Sequence, residues 1–160
     1  MTDRFELENQ KFLTHSAAET TEIGFQIATK LLAKQAVGDK EKGATVLCLY
    51  GDLGSGKTTF TQGFAKGLGF QNRLPSPTFI IVRRYSLPHN EFFFYHIDLY
   101  RLHTMTEIEG IGIKEIFNQP RAFVVIEWAE RLGELTPAHR VDSTFTQLGD
   151  NDHQMTLQFI

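Results

Sequence analysis

The chain has 160 residues, 41% hydrophobic and 22% charged, which fits one globular domain over residues 1–160 and excludes a fibrous or disordered chain. Its 16 basic against 19 acidic residues leave a net charge of −3, without the basic excess that accompanies strong, independent nucleic-acid binding. The longest apolar runs, Phe92–Tyr95 and Phe123–Ile126, fall far short of the ~20 residues that span a bilayer, and Met1–Glu6 lacks the features of a secretory signal, so no membrane and a cytoplasmic location are expected.

In chain order, Ser16-Ala17-Ala18-Glu19 has capping-box spacing and predicts a helix start. Ile23, Ile27 and Leu31, with Ala28 and Leu32 beside them, give that helix one apolar face as far as about Gln35. Val37–Gly43, charged and with two glycines, reads as a surface connector. Thr45-Val46-Leu47-Cys48-Leu49-Tyr50 is a nearly continuous apolar run, the pattern of a central strand covered on both faces. Cys48, the single cysteine, sits mid-strand and reads as a small buried apolar residue. After the glycine-rich stretch, Phe60, Phe64, Ala65 and Leu68 keep helical spacing until Gly67 and Gly69. Thr78–Val82 and Glu91–Ile97 predict two strands that make a hairpin about Pro88-His89-Asn90. Thr104–Ile116 reads as helix interrupted at Gly110 and Gly112, Ala122–Ile126 as a second buried strand, and Val141–Phe145 and Gln154–Phe159 as late strands. The order predicts an α/β fold, with a mixed central sheet flanked by helices in a three-layer sandwich.

The chemistry is carried by Gly51-Asp52-Leu53-Gly54-Ser55-Gly56-Lys57-Thr58, placed between a strand and a helix. A triphosphate has dense negative charge, and successive backbone N–H groups around glycines converge on it as side chains cannot. This is a P-loop pattern, in which Gly54, Ser55, Gly56, Lys57, Thr58 and Thr59 bind the phosphates. Lys57 reaches the terminal phosphates, Thr58 offers its hydroxyl to Mg²⁺, and Thr59 meets the innermost phosphate. A second Mg²⁺ ligand is expected from a carboxylate at the end of a neighbouring apolar strand. Glu127, after Phe123-Val124-Val125-Ile126, and Asp98, after Phe94-Tyr95-His96-Ile97, both qualify; the wholly apolar run favours Glu127 for the metal, which leaves Asp98 to orient the attacking water. Thr78 in Pro75-Ser76-Pro77-Thr78 is a candidate mobile switch threonine, with a proline-stiffened turn as the alternative. Trp128 either stacks on a ligand or partner or fills the core, Arg101 reads as pairing with a carboxylate, and His96 as a hydrogen-bonded structural histidine.

Tyr50–Phe60, Ser76-Pro77-Thr78-Phe79, His96-Ile97-Asp98-Leu99-Tyr100-Arg101 and Ile126-Glu127-Trp128 together closely resemble the bacterial TsaE (YjeE) family, with the motifs in family order over residues 50–128. That resemblance implies an ATPase using Mg²⁺, working with TsaB and TsaD in making threonylcarbamoyladenosine in tRNA without itself transferring the group. It further implies Thr58 and Glu127 as Mg²⁺ ligands, Lys57, Asp98 and Thr78 in the catalytic machinery, Trp128 in a functional tip, and Thr14–Ser16 near the adenine. Ser55 stands where alanine is frequent in the family, and a small residue is kept.

Two other functions share the phosphate loop. A small-molecule kinase usually needs an arginine-rich lid, whereas the stretch from Arg101 to Arg121 holds only those two arginines. An ATP-sensing binding module would hold the nucleotide and never turn it over. A partner-dependent ATPase is favoured, slow alone because no arginine is assigned to the γ-phosphate, a residue that can be worth about 10³ to 10⁵ in rate.

Overall fold

In the computed structural model, which describes residues 8–38, 42–75, 80–88 and 91–160, the chain opens with strand β1 (Gln10–Thr14) and helix α1 (Ala17–Val37). Strand β2 (Thr45–Tyr50) leads through the glycine loop into helix α2 (Lys57–Gly67). Strands β3 (Val82–Ser86) and β4 (Phe93–Asp98) pair antiparallel as the expected hairpin. Helices α3 (Met105–Gly110) and α4 (Ile113–Phe117) are separated at Gly112, whose φ of 79° breaks the helical path. Strand β5 (Ala122–Glu127), a 3-10 segment (Ala129–Leu135) and strands β6 (Val141–Gln147) and β7 (His153–Phe159) complete the chain.

The strands form one sheet in the order β1-β7-β6-β2-β5-β4-β3. Four central strands, β6, β2, β5 and β4, run parallel; β7 and β3 pair antiparallel to β6 and β4 at either side, and β1 pairs antiparallel to β7 at the outer edge. One face carries α1 and α2, with Ile27, Leu31, Phe60 and Phe64 packed on Leu47, Leu49, Phe123 and Val125. The other face carries α3, α4 and the 3-10 segment, with Ile108, Ile113, Ile116 and Leu132 on Cys48, Ile97, Val124 and Ile126. The result is a P-loop NTPase-like three-layer sandwich with a mixed sheet. Alternate residues of β2 and β5 enter opposite cores, which explains why neither strand has a polar face. The two helices of the first face cross closely: a Cβ on Gly63 would lie 1.9 Å from the Thr21 carbonyl oxygen, and one on Gly24 2.3 Å from that of Phe60.

Three local expectations change. Ser16 caps α1 by accepting from the Glu19 amide at 3.2 Å, but Glu19 accepts from the His15 amide at 2.6 Å, so the box is slipped by one residue. A reciprocal box stands instead at α3, between Thr104 and Glu107. Among the described residues the hairpin's first strand begins at Val82, which pairs with Ile97, so Ile80 and Ile81 of the expected strand lie ahead of it. Ile81 lies in a bend and Ile80 is 45% exposed, while Thr78 and Phe79 fall outside the described residues, as do His89 and Asn90 of the expected turn. Strand β1 and the 3-10 segment are additions that no sequence pattern announces. No helix among the described residues is long and apolar enough to cross a membrane.

Candidate nucleotide site

β2, β4 and β5 end side by side, and the loop Gly51–Gly56 rises from the first of them. Positive φ at three glycines, Gly51, Gly54 and Gly56, allows its path. Gly51 has φ 147°, and a Cβ there would lie 2.6 Å from the Phe145 carbonyl oxygen; Gly56 has φ 110° at the entry to α2. Among the described residues no side chain caps α2, so its first N–H groups are turned towards the loop. With the helix dipole they favour an anion. A cavity of about 460 Å³ follows this loop, and its lining includes Thr20, Asn151 and His153 as well as Asp98, Glu127 and Trp128. It lies at the carboxyl ends of the parallel strands, where open α/β sheets hold ligands.

The structure brings together most of the residues expected from sequence. Gly54, Ser55, Gly56, Lys57, Thr58 and Thr59 all line the cavity. Ser55 is 2% exposed, and its hydroxyl has no hydrogen-bond partner among the described residues. Lys57 is 5% exposed; its ammonium donates to the carbonyl oxygens of Gly51 and, at 3.0 Å, Asp52. Burial lowers its pKa, and the carboxylates of Glu127, Glu130, Asp52 and Asp98 oppose that shift. The Thr58 hydroxyl donates to Glu127 Oε1 at 2.8 Å. Glu127, 2% exposed, ends β5 beside Asp98 of β4, its partner in the parallel register. Asp98 Oδ1 accepts from the Tyr100 amide at 2.9 Å. Burial raises the Asp98 pKa above the usual carboxylate range, Glu127 adds to this, and the Tyr100 amide, His96 and Lys57 pull it back. Arg101 also lines the cavity; Thr78 lies outside the described residues.

Mg²⁺ takes oxygen ligands at 2.0–2.1 Å in an octahedron, so neighbouring ligands stand roughly 2.8–3.0 Å apart. The Thr58 and Glu127 oxygens, at 2.8 Å, fit two adjacent corners. The donor set, one hydroxyl and one carboxylate beside a phosphate loop, is the kind that Mg²⁺ takes.

Some residues here are expected from the sequence in a different setting, and others escape it. His96, expected to be a hydrogen-bonded structural histidine, bonds through Nε2 to Glu127 Oε2 at 2.6 Å and so touches the site. Its alternation with Asp98 along one strand puts both on the same face, a signal present in the sequence. Thr20, Asn151 and His153 come from α1, from the turn between β6 and β7 and from the start of β7, and no local pattern marks them. Thr14, expected near the adenine, hydrogen-bonds Thr20 at 2.8 Å, which sets the first turn of α1 against the cavity.

The family model described as threonylcarbamoyl adenosine biosynthesis protein TsaE matches residues 14–155. A Bacillus subtilis (strain 168) protein named tRNA threonylcarbamoyladenosine biosynthesis protein TsaE is 39% identical over 131 residues, covering 80% of this chain and 77% of its own length. A Treponema pallidum protein of the same name is 35% identical over 121 residues, covering 76% and 87%. Among solved structures, Bacillus subtilis YdiB matches with a TM-score of 0.69 and 31% identity, over 94% of this chain and 84% of that one. The match spans the glycine loop, Asp98, Glu127 and Trp128 alike, and the chain belongs to the TsaE family.

Proposed function

We propose that this chain binds ATP with Mg²⁺ and hydrolyses it in the cytoplasm, in support of threonylcarbamoyladenosine formation in tRNA, acting with TsaB and TsaD and not transferring the carbamoyl group itself. The observation that carries the ATPase reading is the Thr58–Glu127 pair, two oxygens 2.8 Å apart beside an uncapped helix start and a glycine loop. Family membership carries the tRNA role.

In this reading the amides of Gly54 to Thr59 hold the phosphates, and Lys57 leaves its loop carbonyls for the terminal phosphate oxygens. Thr58 and Glu127 hold Mg²⁺, which supplies neutralisation of charge on the phosphates. Asp98, at the end of β4 and lining the same cavity, orients the attacking water and accepts its proton. Thr78 acts as the switch threonine. The nucleotide base is assigned to the neighbourhood of Thr20 and His153, which line the same cavity beside Gly56. With a net charge of −3, strong contact with tRNA is left to the partners.

Two measurements test this. Calorimetric titration of the purified chain should show ATP binding that tightens with Mg²⁺, and a pull-down with the chain as bait should recover TsaB and TsaD with ATP present. Absence of nucleotide binding would defeat the ATPase reading; binding without recovery of either protein would defeat the partner assignment.

A further inference from the structure

Glu127 is gripped from two sides. Oε1 accepts from Thr58 at 2.8 Å, and Oε2 lies 2.6 Å from His96 Nε2, with the two side chains 1% and 3% exposed. An ionised carboxylate offers only acceptors, so the hydrogen in the second contact belongs to Nε2. The ring then presents Nδ1 to the interior, where it is buried without a hydrogen-bond partner among the described residues. A buried polar atom left unpaired is costly, and an apolar side chain in this position would avoid that cost. The ring plane is held by Phe94, two residues earlier on the same face of β4, at a centroid distance of 6.4 Å and an interplanar angle of 8°. Phe94 in turn packs on Phe64 of α2 at 6.1 Å, so the ring is tied to the helix that carries Thr58.

We propose that His96 is a positioning residue for the phosphate chemistry: by holding Oε2, it stops the Glu127 carboxylate from rotating and keeps Oε1 aimed at Thr58. The inference rests on the assignment of Thr58 and Glu127 as the Mg²⁺ pair. Hydrogen-bonding partners of ligating carboxylates typically change metal affinity or activity by about 10–100-fold when removed. A histidine that merely filled the core would not distinguish the nucleotide with its metal from the nucleotide without it.

The two amide replacements separate these roles by reach. In His96→Gln the side-chain nitrogen extends to the Nε2 position and can donate to Glu127; in His96→Asn it stops near the Nδ1 position and cannot. ATP affinity is measured by calorimetry for wild type and both variants, once with Mg²⁺ and once with EDTA, alongside the thermal unfolding midpoint. The proposal expects His96→Asn to keep its affinity in EDTA while losing about tenfold or more of the gain that Mg²⁺ brings, and His96→Gln to recover most of that gain. Full retention of the Mg²⁺ gain in His96→Asn would overturn it. So would an equal loss in both variants that appears in EDTA as well. Should His96→Asn not fold, His96→Leu replaces it, and failure of both to fold assigns the residue to the core instead. A wild-type protein that binds ATP equally with and without Mg²⁺ overturns the underlying metal assignment, a result distinct from any of these.

Discussion

The Lys57 ammonium lies 4.4 Å from the centre of the Trp128 indole ring, while also donating to the carbonyl oxygens of Gly51 and Asp52. Trp128 reaches this place because it holds a left-handed backbone, φ 59° and ψ 43°, directly after Glu127, and it leans on Tyr100 at 5.2 Å. Lys57 is therefore folded back on its own loop beneath the one tryptophan of the chain. Terminal phosphates would draw the ammonium away from both the carbonyls and the ring. Titration with ATP is expected to produce a saturable change in intrinsic fluorescence, absent in Lys57→Ala. A flat titration in wild type, with binding verified by calorimetry, would show that the lysine does not move relative to the ring.

Asp98 lines the cavity beside Glu127, with its Oδ1 held by the Tyr100 amide, while the Thr58 hydroxyl is committed to Glu127. General acid–base groups typically contribute about 10²–10⁴-fold, so Asp98→Asn should lower the hydrolysis rate by that order while ATP affinity stays within a few-fold. Phosphate release and calorimetry on the same preparation check this. Unchanged turnover would remove Asp98 from the chemistry.

The crossing of α1 and α2 supports the site, since α2 begins at Lys57 and α1 contributes Thr20. At Gly63 the atom a Cβ would meet is backbone, 1.9 Å away, and cannot swing aside. An alanine in a helix interior ordinarily gains up to about 1 kcal/mol over glycine. Here overpacking outweighs it, and Gly63→Ala should destabilise by about 1–3 kcal/mol, a fall of roughly 2–12 °C in the unfolding midpoint. Gly110, where an added Cβ would meet nothing within 4 Å, is the control: Gly110→Ala should hold or raise the midpoint.

Cys48 is fully buried between β5 and β6, and burial pushes its thiol from 9.0 up to about 12. Between those values the unfolded chain carries a thiolate and the native chain a thiol, so unfolding releases a proton and stability falls as pH rises. Below pH 9 the group adds no pH dependence. Cys48→Ala lacks this proton release, whatever constant cost its cavity brings. Urea unfolding at pH 8 and 10.5 should therefore show wild type losing about 1–2 kcal/mol relative to the variant. A constant difference across the two pH values would contradict the burial account.

How much of this is legible in the sequence depends on where each residue's constraint lies. β2, the glycine loop, α2 and β5 are legible because their constraints are local: two apolar faces, or a loop whose backbone must approach a ligand. The wholly apolar run Phe123–Ile126 singles out the carboxylate that follows it, and Glu127 is the one that the Thr58 hydroxyl meets. β1 is not legible. Gln10–Thr14 is a mostly exposed edge strand that exists because its backbone pairs with β7, some 140 residues away, and its side chains leave no pattern. The first hairpin strand is misplaced by a sequence reading because Phe79-Ile80-Ile81-Val82 is apolar, whereas the observed Val82–Ser86 carries two arginines on an edge, and pairing with β4 decides its start. Thr20, Asn151 and His153 meet the cavity only through the tertiary fold.

The proposed function requires this chain to turn over ATP slowly alone and to complete its site with partners. Phosphate release from ATP and Mg²⁺ by the purified chain, with and without TsaB and TsaD, tests it most directly. The expected result is a low rate for the chain alone, a clear rise when both partners are added, and no rise with Lys57→Ala. An equal rate with and without the partners, or phosphate appearing on a small-molecule acceptor instead of in water, would contradict it.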